Sequence, residues 1–231
     1  VVTRHGNYAT IDRNIFIAHG NPYVGDIPVI NTGHRIINNY FLGLTSNELL
    51  GALAVMNGIL KSPLNRYNQV TDAVIAHNSW INCEQPDHFS VGVNLNQAAV
   101  LPPSNKRSAR PERVIFAINF VYNDKYTTAP IKAYDSINGV KFNNNLMISN
   151  QTMDSNRDDF KLKSVSNKLR KELFFTPPSA ENDLYTGFGF ERINFDLFGK
   201  SRLNNDAYVG AIVPPISENK MAIDPKNYAT T

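Results

Sequence analysis

The chain has 231 residues, of which 42% are hydrophobic and 10% aromatic, enough to bury one sizeable core without disulfide or metal staples. With 23 basic and 20 acidic side chains the net charge is +3, which gives no case for nucleic acid and allows a mildly acidic partner. The single cysteine, Cys83, excludes an intrachain disulfide, and no segment reaches the ~18 apolar residues of a membrane helix.

The chain opens with Arg4-His5-Gly6-Asn7, directly ahead of a strand-like run from Ala9 to Phe16. Without an initiator Met or a signal peptide, Val1 reads as a processing boundary or the edge of a fragment. The most informative pattern is a six-residue phrase: an apolar residue, two variable residues, Asn, one residue, and a second apolar residue. It occurs at Ile11–Phe16, Ile36–Phe41, Ile75–Trp80, Phe116–Val121 and Phe142–Met147. Its asparagines are Asn14, Asn39, Asn78, Asn119 and Asn145, spaced 25, 39, 41 and 26 residues apart.

The short spacings fit one coil of a parallel β-helix, and the long ones a coil plus an insertion. Asparagines at one point of successive coils turn the backbone and stack their amides, so a structural role is expected of them. Between the copies lie further strand-like runs at 27–31, 52–57, 90–95 and 130–134, so each coil is expected to give at least two strands to two stacked sheets. The insertions at 61–68 and 101–113 are rich in Pro, Asn and basic residues and are expected to project as loops from one side.

After Asn150 the phrase fails. Residues 151–213 are assigned to a last coil and a C-terminal cap, partly helical between Ser164 and Phe175 and stopped by Pro177-Pro178, and 214–231 to a loose tail. The fold class is therefore all-β: a parallel β-helix over 1–150 with a short helical or irregular cap.

Motifs for phosphate or dinucleotide binding, paired-cysteine metal sites and nucleophile elbows are absent, and the five histidines are too scattered to name a metal site. His5 and His34 stand out because each shortly precedes a copy of the phrase. Arg4 is a permanent cation at a strand edge, suited to neutralising a carboxylate or phosphate.

Arg4-His5-Gly6, then Gly33-His34-Arg35-Ile36-Ile37-Asn38-Asn39-Tyr40-Phe41, then Tyr67-x-x-Val70 ahead of Ile75-Ala76-His77-Asn78, together resemble polysaccharide lyase family six, the alginate lyases and chondroitinase B. Asp196-x-x-Gly199-x-x-Arg202 and Gly210-Ala211 look like that family's last coil. The resemblance implies a right-handed parallel β-helix, truncated at its N-terminal side, and calcium-assisted β-elimination in a uronic-acid polymer, alginate foremost. It implies Arg4 as the catalytic arginine at the leaving group, and His5, His34, Arg66 and Tyr67 as substrate-binding residues. The lysine base and the calcium ligands are implied about one coil ahead of Arg4, so no metal ligand is assigned within the chain. The missing N-terminal coils would then be a partner, and the protein secreted or periplasmic. Pro28 stands where alginate lyases commonly carry an arginine. Two other readings are a non-catalytic carbohydrate-binding β-helix and a purely structural solenoid.

Overall fold

The computed structural model describes residues 3, 5–18, 27–44, 52–63, 65–83, 89–91, 106–125, 131–149, 160–163, 192–202 and 208–213. Their strands form three sheets, every pair parallel. The first sheet holds β1 (Thr10–Asp12), β4 (Arg35–Ile37), β7 (Val74–Ala76), β10 (Val114–Ala117) and β13 (Val140–Asn143). The second holds β2 (Ile15–Ile17), β5 (Tyr40–Leu42), β8 (Ser79–Ile81), β11 (Phe120–Asn123), β14 (Asn145–Ser149) and β15 (Phe160–Lys163). The third holds β3 (Ile27–Val29), β6 (Leu53–Val55), β9 (Phe89–Val91) and β12 (Ile131–Ala133). Each sheet takes every third strand as far as β14, so the chain visits the three in rotation.

Each repeat thus supplies three strands, where the sequence pattern predicts at least two in two sheets. The difference lies inside the six-residue phrase, which bends at its centre. The residue before each ladder asparagine has a left-handed backbone: Arg13 (φ 57°), Asn38 (54°), His77 (55°), Ile118 (56°) and Asn144 (48°). A β-branched residue such as Ile118 adopts that conformation at a cost of about 1–2 kcal/mol, offset here by complete burial of its side chain.

The asparagines hold this bend. Asn14 donates its backbone N–H and its Nδ2 to Oδ1 of Asn39, at 3.1 and 3.0 Å. Asn39 does the same to Asn78, Asn78 to Asn119 and Asn119 to Asn145, all within 2.9–3.1 Å. Each Nδ2 from Asn39 onward also reaches a carbonyl of the preceding repeat: Ile11, Ile36, Ile75 and Phe116. From Asn39 to Asn145 these side chains are fully buried, as a structural role requires.

The interior is filled by residues at fixed offsets. Ile11, Ile36, Ile75, Phe116 and Phe142 line up along the first sheet, and Phe16, Phe41 and Trp80 along the second. The Phe16–Phe41 and Phe41–Trp80 ring centroids are 4.9 and 5.4 Å apart, nearly parallel. Ile27, Val29, Leu53, Val55 and Ile131 close the third side. Cys83 is buried among them, which pushes its thiol up to about 12 and leaves it inert.

Residues 192–202 and 208–213 pack on the outside of the sheets. Ile193 covers Ile37 and Ala76 of the first sheet, and Leu197, Tyr208, Val209 and Ala211–Val213 pack with Tyr40, Ile81, Phe120, Tyr122, Leu146 and Ile148 of the second. Arg202 pins this segment: Nη1 donates to the Tyr208 carbonyl at 3.1 Å, and Nη2 to Gly210 O at 2.9 Å and Asn38 Oδ1 at 3.1 Å. Asp196 accepts from the backbone of Phe198, Lys200 and Val213. Arg202→Met removes three bonds from a buried cation and is expected to cost about 3 kcal/mol. The check is a urea midpoint, with limited proteolysis cutting first within 192–213. No helix occurs among the described residues, and the stretch from Ser164 to Phe175, expected to be helical, lies outside them. The sequence pattern missed β15, which extends the second sheet beyond the last phrase.

Burial holds His34 and His77 below the ordinary histidine value of 6.5, and both are therefore neutral in the fold. Unfolding restores the ordinary value, so below about 6.5 the unfolded chain binds more protons. Stability is then lost as pH falls from 6.5, by up to about 1.4 kcal/mol per unit for each ring. Thermal midpoints measured from pH 7.5 down to about 5 should fall accordingly, and His77→Asn, which suits the left-handed backbone, should flatten the slope.

Candidate active site

Of the predicted site residues, His5, His34, Arg66 and Tyr67 lie at or beside the corner where the chain leaves the third sheet for the first. Successive passes stack there as rungs: Thr3 N–H donates to Pro28 O (3.3 Å), Tyr8 N–H to Thr32 O (2.9 Å), Gly33 N–H to Thr71 O (2.8 Å) and Asp72 N–H to Glu112 O (3.1 Å). Tyr8, Gly33, Asp72 and Arg113 hold equivalent left-handed positions at this corner. Gly33 is required twice over, because its φ is 72° and an added Cβ would lie 2.2 Å from the Tyr8 ring.

His5 and Gly6 form part of the first rung. His5 is exposed, and Asn31 of the next rung donates its Nδ2 to Gly6 O at 3.3 Å. Arg4 lies outside the described residues. His34 sits beneath the corner with 0% exposure: its Nδ1 accepts from Ala9 N–H at 3.1 Å, and Nε2–H donates to Ile30 O at 2.7 Å. Both ring nitrogens are spent on backbone and the ring is neutral, so here His34 shapes the corner and offers no nitrogen to a ligand.

Arg66 is exposed and Tyr67 half-buried, on the insertion that leaves the third rung. The guanidinium carbon of Arg107 stands 4.0 Å from the centre of the Tyr67 ring, a cation–π pair. Arg107 belongs to the other insertion, so both insertions converge at this corner, as expected of loops projecting from one side. They are joined backbone to backbone through Gly58 and Ala109, at 2.7 and 2.9 Å. Asn57 donates to Asp135 at 2.8 Å and to Arg107 O at 3.3 Å, and Arg110 pairs with Asp135 at 3.0 Å. Arg110 and Asn57 hold the Asp135 carboxyl below the usual carboxylate range, the arginine contributing most. Arg107 enters the sequence reading only as one of the basic residues of the 101–113 insertion, which does not say what it folds against, and Asn57 and Asp135 carry no sequence signal of their own.

An open groove of about 460 Å³, lined by Glu112, Arg113, Ile115, Asn138, Gly139 and Lys141, continues on the first-sheet side. Arg113 is engaged there by Asp72 through two bonds, with Nη2 at 2.8 Å from Oδ2. Among the described residues no three His, Cys, Asp or Glu side chains converge on a point where calcium could be held.

Two structures of the PL6 family alginate lyase AlyGC match this fold. An arginine-to-alanine mutant matches at 27% identity and a TM-score of 0.67, over 95% of this chain. The parent AlyGC structure matches at 26% and 0.66, over 94%. In both, this chain spans 27% of the other chain's length. A mannuronic acid specific polysaccharide family 6 lyase from human gut microbiota matches at 22% identity and 0.56, over 77% of this chain and 41% of its own, and shows a shared fold alone. No curated protein matches the sequence. The family model described as Chondroitinase B matches residues 1–191. The chain belongs to that family, among the family-six polysaccharide lyases.

Proposed function

We propose that the three sheets are coils of a right-handed parallel β-helix, and that the protein carrying this chain cleaves a uronic-acid polymer, alginate first among them, by β-elimination. The observation that carries the reading is the family match over residues 1–191, which includes Arg4-His5-Gly6. Exposed His5 on the first rung of a corner rich in cations supports it.

In this reaction a base takes the proton from C5 of the uronate, its electron pair forms the C4–C5 double bond, and the C4–O bond breaks with the electrons leaving on the glycosidic oxygen. Arg4 sits at that oxygen, donating a hydrogen bond and a proton or stabilising its charge, and His5 contacts the sugar beside it. Charge developing next to the uronate carboxylate needs a cation. Calcium supplies that when bound; its ligands and the base are assigned to no residue here.

Incubation of the protein with alginate and calcium should produce the ultraviolet absorbance of an unsaturated uronate end. No signal with any uronate polymer would sink the proposal. The alternative is a non-catalytic carbohydrate-binding β-helix, in which the basic insertions and Tyr67, with Arg107 already on its ring, grip a polyanion. Binding without cleavage, unchanged in Arg4→Ala, would support it.

A further inference from the structure

We propose that the two insertions form one preorganised platform for a stretch of acidic polysaccharide, gripping uronate carboxylates away from the bond that is cut. This rests on the lyase reading above. Residues 57–69 and 106–113 contain one acidic side chain, Glu112, yet carry Lys61, Arg66, Lys106, Arg107, Arg110 and Arg113. Arg110 is neutralised by Asp135, and Arg113 by Asp72 and Glu112. The other four have no carboxylate partner among the described residues. On a chain of net charge +3, that places an unpaired positive surface in one spot.

The platform is built rather than loose. Besides the Gly58–Ala109 bridge, Gln69 Nε2 donates to Arg110 O at 2.7 Å, and Asn57 ties Arg107 O to Asp135. Gly58 lies so close to the 68–69 backbone that an added Cβ would be 2.5 Å from Gln69 N, so the insertion folds back on itself with no space to spare. Arg107 is fixed over Tyr67 before any ligand arrives, which reduces the ordering cost of binding. A planar guanidinium held on an aromatic face presents its outer N–H groups to a carboxylate, and alginate offers one carboxylate on every sugar.

The experiment is affinity electrophoresis of the protein through gels containing alginate, a neutral polysaccharide or no polymer, at two salt concentrations, with a single-stranded oligonucleotide as competitor. Arg107→Ala should weaken alginate binding about tenfold, equivalent to about 1.4 kcal/mol. Lys106→Ala, an exposed change that leaves the fold intact, should weaken it about threefold. Lys125→Ala, on another corner, should leave it unchanged, and added salt should weaken the wild type. Wild-type retention with both platform variants unaffected would overturn the platform and leave the lyase reading standing. No retention of the wild type by alginate would overturn the platform, and the unsaturated-product absorbance then decides the lyase reading separately. Equal retention by the neutral polymer, or displacement by the oligonucleotide at equal concentration, would overturn the choice of partner. Circular dichroism of Arg107→Ala separates lost binding from lost folding.

Discussion

Arg4→Ala is expected to slow formation of the unsaturated product by about two to four orders of magnitude, the range for removing a proton donor positioned at a leaving group. On the proposed mechanism the loss should fall on kcat, because the guanidinium would then act on charge that appears only as the C4–O bond breaks. Arg4→Lys keeps a cation but not the planar fork, and is expected to recover only part of the rate. The comparison is made by initial rates on alginate with calcium present, with substrate affinity measured separately. A variant that keeps the wild-type rate would remove Arg4 from the chemistry.

The second large effect concerns the fold. In Asn78→Ala the carboxamide disappears from the middle of the ladder. Asn39 then loses the acceptor of both its N–H and its Nδ2, and the Ile36 carbonyl loses its donor at 2.8 Å, all in a fully buried strip. A buried unsatisfied polar group costs about 1–3 kcal/mol. Asn39 Nδ2 keeps its bond to the Ile11 carbonyl at 2.9 Å, so two groups are left short and point to about 3 kcal/mol, read as a lower denaturant midpoint. Asn14→Ala, at the exposed first position of the ladder, should cost no more than about 1 kcal/mol. Equal losses at the two positions would mean that the ladder's continuity is not what stabilises the bend.

The parts of the structure legible in the sequence were those that repeat. Asn14, Asn39, Asn78, Asn119 and Asn145 could be read as one ladder because the same backbone bend recurs at one register, and the stacking of Phe16, Phe41 and Trp80 follows from that register. The third sheet is half visible: its runs stand out, but the left-handed residue that splits each phrase into two strands carries no side-chain signature, being Arg, Asn, His, Ile and Asn in turn. β15 breaks from the phrase altogether, so periodicity had nothing to detect.

At the site the limits are similar. His34 was singled out by its position before a phrase, but one residue's shift in the pleat decides whether a ring faces solvent or the corner's underside, and here both nitrogens face backbone. Tyr67 and Arg107 are 40 positions apart and meet only because their insertions leave neighbouring rungs. Asp135 joins them from a third segment. Such convergence depends on where each repeat is interrupted, which a single sequence does not encode in any local pattern.

β-Elimination and hydrolysis leave different products, and mass spectrometry of alginate fragments formed by the protein in heavy-oxygen water separates them. The expected fragments carry an unsaturated end, sum to the mass of the uncut polymer and contain no label from solvent. Fragments with one labelled oxygen per cut and no unsaturated end would contradict lyase chemistry at Arg4.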